Sequence, residues 1–479
     1  MSKILPLLIL SLLPAAGLAS DLNSALIKGN AYLVDTVDEL HNAINQQITT
    51  LLSIQKTTVT GLYGTAPINY NPGQNSQIFT VMDIGTTYPV MVGSVKKSNL
   101  AISAIYGSGR LWAWGANIPA RLQSGEMTGL EPVVDNTLRL ALRTTPALLP
   151  TARKVALVLM TGSEQTNTSQ WLQTRFPQWT ITSCNDPATL ASCIADAGLL
   201  LGADSISDAV AKPALDSVLA RVSAGISLVY WHNRWGTNLY SNSLMQAMGA
   251  AMPYAGNWFV QDSASWARKE AMLADDNALA QLNRLNSHVQ HQDFPVFDWS
   301  QCTTSVGTVS CDKVPLWSSE FVQPANYLRN ILGQIDQTGL SLFQKPGYRL
   351  LKLFVLLGDK LRAQTVYPLD KQTNPYGFYK AYLADHLNSY VRAINPRQEN
   401  LGTFASQLAS TPATISKDLT FTLGASPQSV STGVYGLPGV PVKISRLDST
   451  GANVGVYLNS IRSGSTRAFN NNGLVRPKY

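Results

Sequence analysis

Short apolar runs alternate with helix-like segments through residues 154–250, and this alternation constrains the fold more than any other feature of the sequence. Residues 155–160 are continuously apolar, as expected for a strand that is buried on both faces. Further strands are predicted at 179–182, 199–201 and 226–231, and helices at 168–175, 213–223 and 239–248. The order predicts a doubly wound α/β domain with a mostly parallel sheet.

The segments on either side of this region predict further structure. Before it we expect a helix over 34–52 that ends in the β-branched run 57–60 and Gly61, strands over 90–92, 100–106 and 111–114, and a helix over 135–144. After it, 250–320 is interpreted as an irregular connector and 322–408 as a small helical bundle. Beyond a Ser/Thr/Pro linker at 409–416, the alternation around 419–423, 440–444 and 454–458 predicts antiparallel strands.

The amino terminus resembles a secretory signal peptide. Lys3 is followed by an apolar stretch at 4–13, and the small residues Gly17 and Ala19 precede a predicted cut before Ser20. The apolar stretch is too short to span a membrane, and no other stretch approaches the length and apolarity of a transmembrane helix. We therefore expect a secreted, extracellular protein, or a periplasmic one in transit, without a membrane span.

The four cysteines fit an exported protein. Cys184 and Cys193 are nine residues apart, and so are Cys302 and Cys311. Three pairings are possible, and the two local ones need the least ordered chain, so we expect Cys184–Cys193 and Cys302–Cys311. A zinc site of four thiolates is the alternative, but the Cys-x-x-Cys spacing of such sites is missing.

The distribution of charge argues against a nucleic-acid partner. The net charge of +7 comes from 36 Lys and Arg against 29 Asp and Glu, and no run of five basic residues occurs. Only 14% of the residues are charged, compared with about 25% in an average protein, so Ser, Thr, Asn and Gln must cover much of the surface. A mild attraction to anionic glycans is compatible with this composition.

The motifs of the common hydrolases are absent from the sequence. The five histidines are 41, 232, 288, 291 and 386, and none is followed by Glu, so there is no His-Glu-x-x-His zinc motif. His288 and His291 could share one helix face, with Asp293 nearby, but a polar surface patch explains them as well. There is no Gly-x-Ser-x-Gly, and the strand–helix turn at 202–205 lacks the Cys nucleophile of amidotransferase-like domains with the same plan.

Two short segments are candidates for ligand binding. Gly107-Ser108-Gly109 suggests a phosphate loop, but Trp112 breaks the Gly-x-Gly-x-x-Gly pattern, and a tight turn between strands explains the glycines better. The segment Trp231-His232-Asn233-Arg234-Trp235-Gly236 lies where a predicted parallel strand ends, and ligands of open α/β sheets bind at such ends. Trp231, His232, Asn233 and Arg234 are its candidate binding residues. Its aromatic and polar groups suit a sugar, whereas the alternative is a packing cluster in which His232 bonds to a loop carbonyl.

Three stretches resemble the bacterial immunomodulating metalloproteases of the enhancin-like (M-sixty) zinc peptidase family. They are 296–302 with its continuation 311–315, the stretch 367–371, and 458–467 with Arg476-Pro477 beyond. The first is similar to that family's disulfide segment, the second to its helical domain, and the third to the opening of its peptidase domain. The similarity runs in the same order through nearly the whole chain after the signal peptide.

The resemblance implies the non-catalytic front part of a zinc glycopeptidase that cuts mucin-like, O-glycosylated glycoproteins. The family's zinc helix lies downstream of the Arg-Pro segment, so no catalytic or metal residue is carried over, no cofactor is expected in this chain, and zinc is expected in the missing catalytic domain. We expect O-glycosylated glycoproteins as partners and an accessory, substrate-positioning role, with the chain inactive by itself. The alternative is a stand-alone secreted glycan- or mucin-binding colonisation protein.

The expected fold is therefore an α/β multidomain one: a doubly wound, mostly parallel α/β domain, then a helical bundle domain, then the first strands of a β domain. The expected domains are the signal peptide 1–19, N-terminal helices 20–60, the α/β accessory domain 61–300, the helical domain 301–410, and a truncated start of the peptidase β subdomain at 417–479.

Overall fold

The structure is a computed structural model that divides into two compact units. The α/β unit comprises Ala43–Ser287 and Pro346–Leu351, and the helical unit comprises Met1–Asn42, His288–Lys345 and Lys352–Tyr479. The structure describes residues 18–63, 70, 75–93, 98–143, 149, 151–253, 277–305, 308–311, 313–337, 342–343, 345–366, 369, 371–387, 418–420, 434, 443–448 and 451. Residues 4–13 of the predicted signal peptide and almost all of the β domain expected at 417–479 lie outside the described residues.

A seven-stranded sheet is the centre of the α/β unit. The strands of this unit are β1 (Thr80–Val81), β2 (Thr87–Val92), β3 (Asn99–Tyr106), β4 (Gly109–Trp114), β5 (Lys154–Val158), β6 (Thr180–Cys184), β7 (Leu199–Gly202), β8 (Leu228–Trp231) and β9 (Ala250–Ala251). The sheet order is β2-β3-β4-β8-β7-β5-β6, and β1 pairs separately with β9. The first two pairings are antiparallel and the other four are parallel, so the predicted doubly wound, mostly parallel plan is confirmed.

Helices cover both faces of this sheet and make up most of the other unit. In chain order they are α1 (Leu18–Lys28), α2 (Val37–Leu62), α3 (Ile118–Gln123), α4 (Glu131–Ala141), α5 (Gly162–Arg175), α6 (Leu190–Cys193), α7 (Asp208–Ser223), α8 (Leu239–Ala247), α9 (Ala278–His291), α10 (Gln323–Gln337), α11 (Arg349–Ala363) and α12 (Pro375–Leu387). None of the helices in the described part of the chain is long and apolar enough to cross a membrane.

Side chains along each strand alternate between the two faces of the sheet and so enter two separate cores. On one face Trp114, Val229 and Trp231 share a cluster with Val134 of α4 and Leu172 of α5. Residues 228 and 230 have the opposite parity and therefore face the layer in which α7 and α8 pack together. Because β5, β7 and β8 are buried on both faces, their sequences are almost entirely apolar.

Two helices test the sequence prediction. The first helix was predicted to end at the β-branched run 57–60 and Gly61, and α2 ends one residue later, at Leu62. Val59 and Leu62 are fully buried in its last turn, and their burial outweighs the few tenths of a kcal/mol that each β-branched residue costs a helix. The region 250–320, which was interpreted as an irregular connector, is not wholly irregular, since α9 lies within it and buries Leu282 and Leu285.

The helical unit has an aromatic core beside a disulfide. Trp317 stacks on Phe321 at 4.9 Å between ring centroids, and Phe321 meets Tyr382 edge-on at 5.0 Å. The short strands β10 (Thr303–Ser305) and β11 (Thr308–Ser310) form a hairpin that Cys302–Cys311 closes. The second bridge is Cys184–Cys193, so both predicted pairings are confirmed.

The Gly107-Ser108-Gly109 segment is a turn between β3 and β4, as the sequence analysis preferred. The backbone N–H of Ser108 donates to the carbonyl of Ser223 at the end of α7. A Cβ at Gly109 would lie 2.1 Å from the carbonyl oxygen of Val222 and 2.4 Å from that of Ile226. The glycine is therefore needed for close backbone packing.

Replacing Gly109 by Ala should lower the free energy of unfolding by about 1–3 kcal/mol, because the added methyl group must push two backbone segments apart. Chemical denaturation of the two proteins measures the difference. Gly198→Ala is the matched control, since the nearest atom to its new Cβ would be 3.7 Å away, and its effect should stay below about 0.5 kcal/mol. Equal stabilities of the Gly109→Ala and Gly198→Ala variants would contradict the close-packing explanation.

Candidate functional site

The candidate site lies where β7 and β8 end, at the carboxyl edge of the parallel strands. β8 is hydrogen-bonded between β4 and β7, and the backbone N–H of His232 donates to the carbonyl of Trp114 at the end of β4. The chain then passes through the loop 233–238 to α8, and Trp235 is the one exposed residue of this loop. This edge is where open α/β sheets bind ligands.

The sheet separates the first two residues of the predicted binding segment. Trp231 is fully buried and packs against Trp114 with 5.8 Å between ring centroids and 29° between ring planes. His232 is also fully buried, but it has the opposite parity and contacts Tyr230. Neither ring can stack on a ligand without opening the core, so these two residues form the base of the site.

His232 is held as a neutral imidazole by two hydrogen bonds. Its Nε2 lies 2.7 Å from the carbonyl oxygen of Arg234, which can only accept, so Nε2 carries the proton. Nδ1 then accepts from the Tyr230 hydroxyl at 2.9 Å. Burial lowers the pKa of His232, which favours the uncharged ring. This contact with the Arg234 carbonyl is the one expected from the alternative in the sequence analysis, in which His232 bonds to a loop carbonyl.

Asp204 is a buried carboxylate beside this histidine that the sequence analysis did not select. It follows β7, and one of its oxygens lies 4.0 Å from Nδ1 of His232. Neither oxygen has a hydrogen-bond partner, although the hydroxyls of Tyr230 and Ser241 are close. The Tyr230 hydroxyl donates its one hydrogen to Nδ1 of His232. The Ser241 hydroxyl donates its hydrogen to Oδ1 of Asn238 at 2.9 Å. Burial therefore raises the pKa of Asp204, despite the opposing effect of His232 and Arg234.

Asn238 joins the end of the loop to this buried cluster. Its side chain accepts from the backbone N–H of Ser241 at 2.9 Å and caps α8. The same side chain donates to the carbonyls of Asp204 at 2.8 Å and Ile206 at 3.2 Å. The loops that follow β7 and β8 are thus fixed to each other by one buried amide.

The segment becomes more accessible from Asn233 onward. Asn233 and Arg234 are half-buried, and Trp235, which lies in the predicted segment but was not among its four candidate residues, is 59% exposed. Asn75 donates to the carbonyl of Asn233 at 3.4 Å, and Arg234 donates to that of Asp204 at 3.5 Å. The sequence signal for Trp235 was its place in the aromatic and polar segment 231–236, directly after Asn233 and Arg234.

The histidine pair at the end of α9 forms local contacts. Nδ1 of His288 lies 2.8 Å from Asp293, and its Nε2 lies 3.9 Å from Glu320. His291 is exposed. Across the described residues, no group of three or more His, Cys, Asp or Glu side chains is arranged to hold a metal ion.

Two family descriptions match the chain, in order. The immunomodulating metalloprotease N-terminal domain matches residues 58–258, and the immunomodulating metalloprotease helical domain matches residues 282–393. The immunomodulating metalloprotease of Pseudomonas aeruginosa is 28% identical over 466 residues, which are 96% of this chain and 49% of that protein. The chain thus spans about half the length of this curated relative.

Solved structures of similar fold agree with these matches. The IMPa metallopeptidase in complex with T-antigen has a TM-score of 0.65 and 24% identity, over 78% of this chain and 42% of that one. The Pseudomonas aeruginosa IMPa in complex with an O-glycopeptide has a TM-score of 0.64 and 24% identity, over 78% and 42%. At this identity the likeness shows the fold, which is the α/β and helical architecture described above.

Replacing Asp204 by Asn should stabilise the protein at high pH. The folded-state pKa of Asp204 is raised, so the folded state holds the proton longer and stability falls as pH rises above the normal Asp range. Asn cannot ionise, so we expect the variant to gain about 1–3 kcal/mol at about pH 8 and to match the original protein near pH 3. Denaturation at both pH values measures this.

Asp216→Asn is the control for that experiment, because Asp216 is exposed and paired only with Lys212 one helical turn away. Its effect should stay below about 0.5 kcal/mol at either pH. A loss of stability in Asp204→Asn at high pH would show that the carboxylate is ionised and stabilises the fold through His232 and Arg234.

Proposed function

The chain is immunomodulating metalloprotease-like and carries that family's N-terminal and helical domains, and we propose that it is the accessory, substrate-positioning region of a secreted zinc metallopeptidase. The observation that carries the proposal is the match of both domains in the same chain over about half of the Pseudomonas aeruginosa relative. The buried site at the ends of β7 and β8 agrees with a non-catalytic role, because Asp204 and His232 have no access to a substrate.

The zinc chemistry of the proposed enzyme belongs to a catalytic domain other than those matched here. None of the five histidines is followed by Glu, so this sequence offers no zincin helix. Zinc bound by that motif would supply an activated water for peptide hydrolysis. The residues of this chain would contribute to binding and orienting the substrate, and the chain by itself would not hydrolyse peptides.

O-glycosylated glycoproteins are the proposed substrates. The relatives of known structure are in complex with T-antigen and with an O-glycopeptide, which supports a glycosylated partner for this chain. A mucin-like protein, whose Ser and Thr residues carry many such sugars, is the finer form of this proposal. The low charge of the chain suits a neutral, hydroxyl-rich partner.

Secretion is part of the proposal. The signal-like residues before Ser20 and the two disulfides both fit an oxidising compartment outside the cytosol.

The natural protein should be about twice the size of this chain, as the half-length match to the relative implies. Mass spectrometry of culture supernatant, with peptides mapped to the sequence, measures this. Peptides that extend beyond Tyr479 and include His-Glu-x-x-His would support the peptidase. A secreted species of this chain's own size would instead favour a stand-alone glycan-binding colonisation protein.

The purified chain should bind an O-glycopeptide that carries the T-antigen disaccharide and should leave it intact. Isothermal titration calorimetry measures binding, and mass spectrometry of the recovered peptide detects cleavage. The same peptide without its sugar is the control and should bind at least tenfold more weakly. Cleavage that a zinc chelator abolishes would contradict the accessory role, and absence of binding would contradict substrate positioning.

A further inference from the structure

Trp235 presents an aromatic surface at the carboxyl edge of the parallel strands. It is the one exposed tryptophan among those in the described part of the chain, whereas Trp114 and Trp231 beneath the same edge are fully buried. Most of its side chain is exposed to water, so a large apolar surface is available to a ligand. It follows β8 at the carboxyl edge of the parallel strands, the edge along which ligands of such sheets bind.

Buried hydrogen bonds fix the loop on both sides of this tryptophan. Before it, His232 donates to the carbonyl of Arg234, and Asn75 donates to that of Asn233. After it, Asn238 caps α8 and bonds to the loop that follows β7. The backbone on both sides of the indole is therefore held in place. A ligand that stacks on the ring loses little binding free energy to ordering of the loop.

The two residues before Trp235 have hydrogen-bonding capacity that the protein does not use. The Oδ1 of Asn233, an acceptor, and the Nε of Arg234, a donor, are shielded from solvent without a hydrogen-bond partner. Both residues are half-buried and directly precede Trp235, so this unused acceptor and donor are next to the indole in the loop.

We propose that Asn233, Arg234 and Trp235 form a carbohydrate-binding site for one hexose ring of an O-linked glycan. The apolar C–H face of the sugar stacks on the indole, and two neighbouring hydroxyls meet the Asn233 acceptor and the Arg234 donor. The site rests on the proposed function, because it assigns the glycan of the proposed substrate to a position on this chain. Trp231 and His232, the other two residues selected from the sequence, support the loop from below.

The geometry favours a sugar over a peptide. β8 is hydrogen-bonded on both sides, to β4 and to β7, so it has no free edge to which a peptide strand could add. Arg234 is the one cation between residues 232 and 238, which is too little charge for a polyanion. An indole face combined with a donor and an acceptor matches a ring that has both C–H and O–H groups.

The test is calorimetric titration of the full chain with the T-antigen glycopeptide and with the bare peptide. Trp235→Ala should weaken glycopeptide binding at least tenfold, and Trp235→Phe, which keeps a smaller ring, should weaken it about two- to fivefold. Asn233→Ala should weaken it about threefold or more. Leu239→Ala is the matched control, because Leu239 is also exposed at this edge, at 47%, and its removal should leave binding unchanged.

The outcomes separate this site from the proposed function. If the original chain binds the glycopeptide and Trp235→Ala, with an unchanged melting temperature, binds it equally well, the site is wrong and the substrate-positioning role stands. If the original chain binds neither peptide, both proposals fail. If it binds both peptides equally and Trp235→Ala weakens both, the surface recognises polypeptide and the carbohydrate assignment is overturned.

Discussion

The burial of β8 on both faces is the constraint on which the rest of the α/β unit depends. β8 lies between β4 and β7, and its four residues are all buried. A strand in this position must send alternate side chains into two separate cores. Trp231 therefore completes the core under α4 and α5, and Tyr230 faces the opposite layer. The loop that follows begins from a base that cannot move without opening one of the cores.

Burial disfavours the charged forms of the polar cluster at this base, and this limits what the cluster can do. Nε2 of His232 carries a proton and donates a hydrogen bond to the carbonyl of Arg234. Burial raises the pKa of the Asp204 carboxyl. Charged forms of either group would have to be stabilised without water. The cluster consequently orients the loops after β7 and β8 and offers no nucleophile or base to a substrate. This is the physical reason for preferring a binding role over a catalytic one.

The sequence predicted the sheet well and the site only in part. The apolar runs of β5, β7 and β8 are long enough and bounded clearly enough to predict a buried parallel sheet, and the short cysteine spacings predicted both disulfides. The end of α2 was predicted to within one residue from the β-branched run and Gly61, but the burial of Val59 and Leu62 that stabilises its last turn could not be read from local propensity. The segment 231–234 was located correctly at a strand end, but exposure within it could not be read from residue types.

The sequence by itself determined the architecture of the α/β sheet and the two disulfides. Periodicity, continuous apolar runs and cysteine spacing are local properties that can be read from neighbouring residues in the chain. It also determined that no zincin motif occurs in this chain. Only the tertiary structure decided which side chains meet: it brought Asp204 to within 4.0 Å of His232 from a different strand, buried Trp231 and left Trp235 exposed. The physical reason is that burial and proximity between strands depend on sheet order and parity, which are properties of the packed chain and not of any segment.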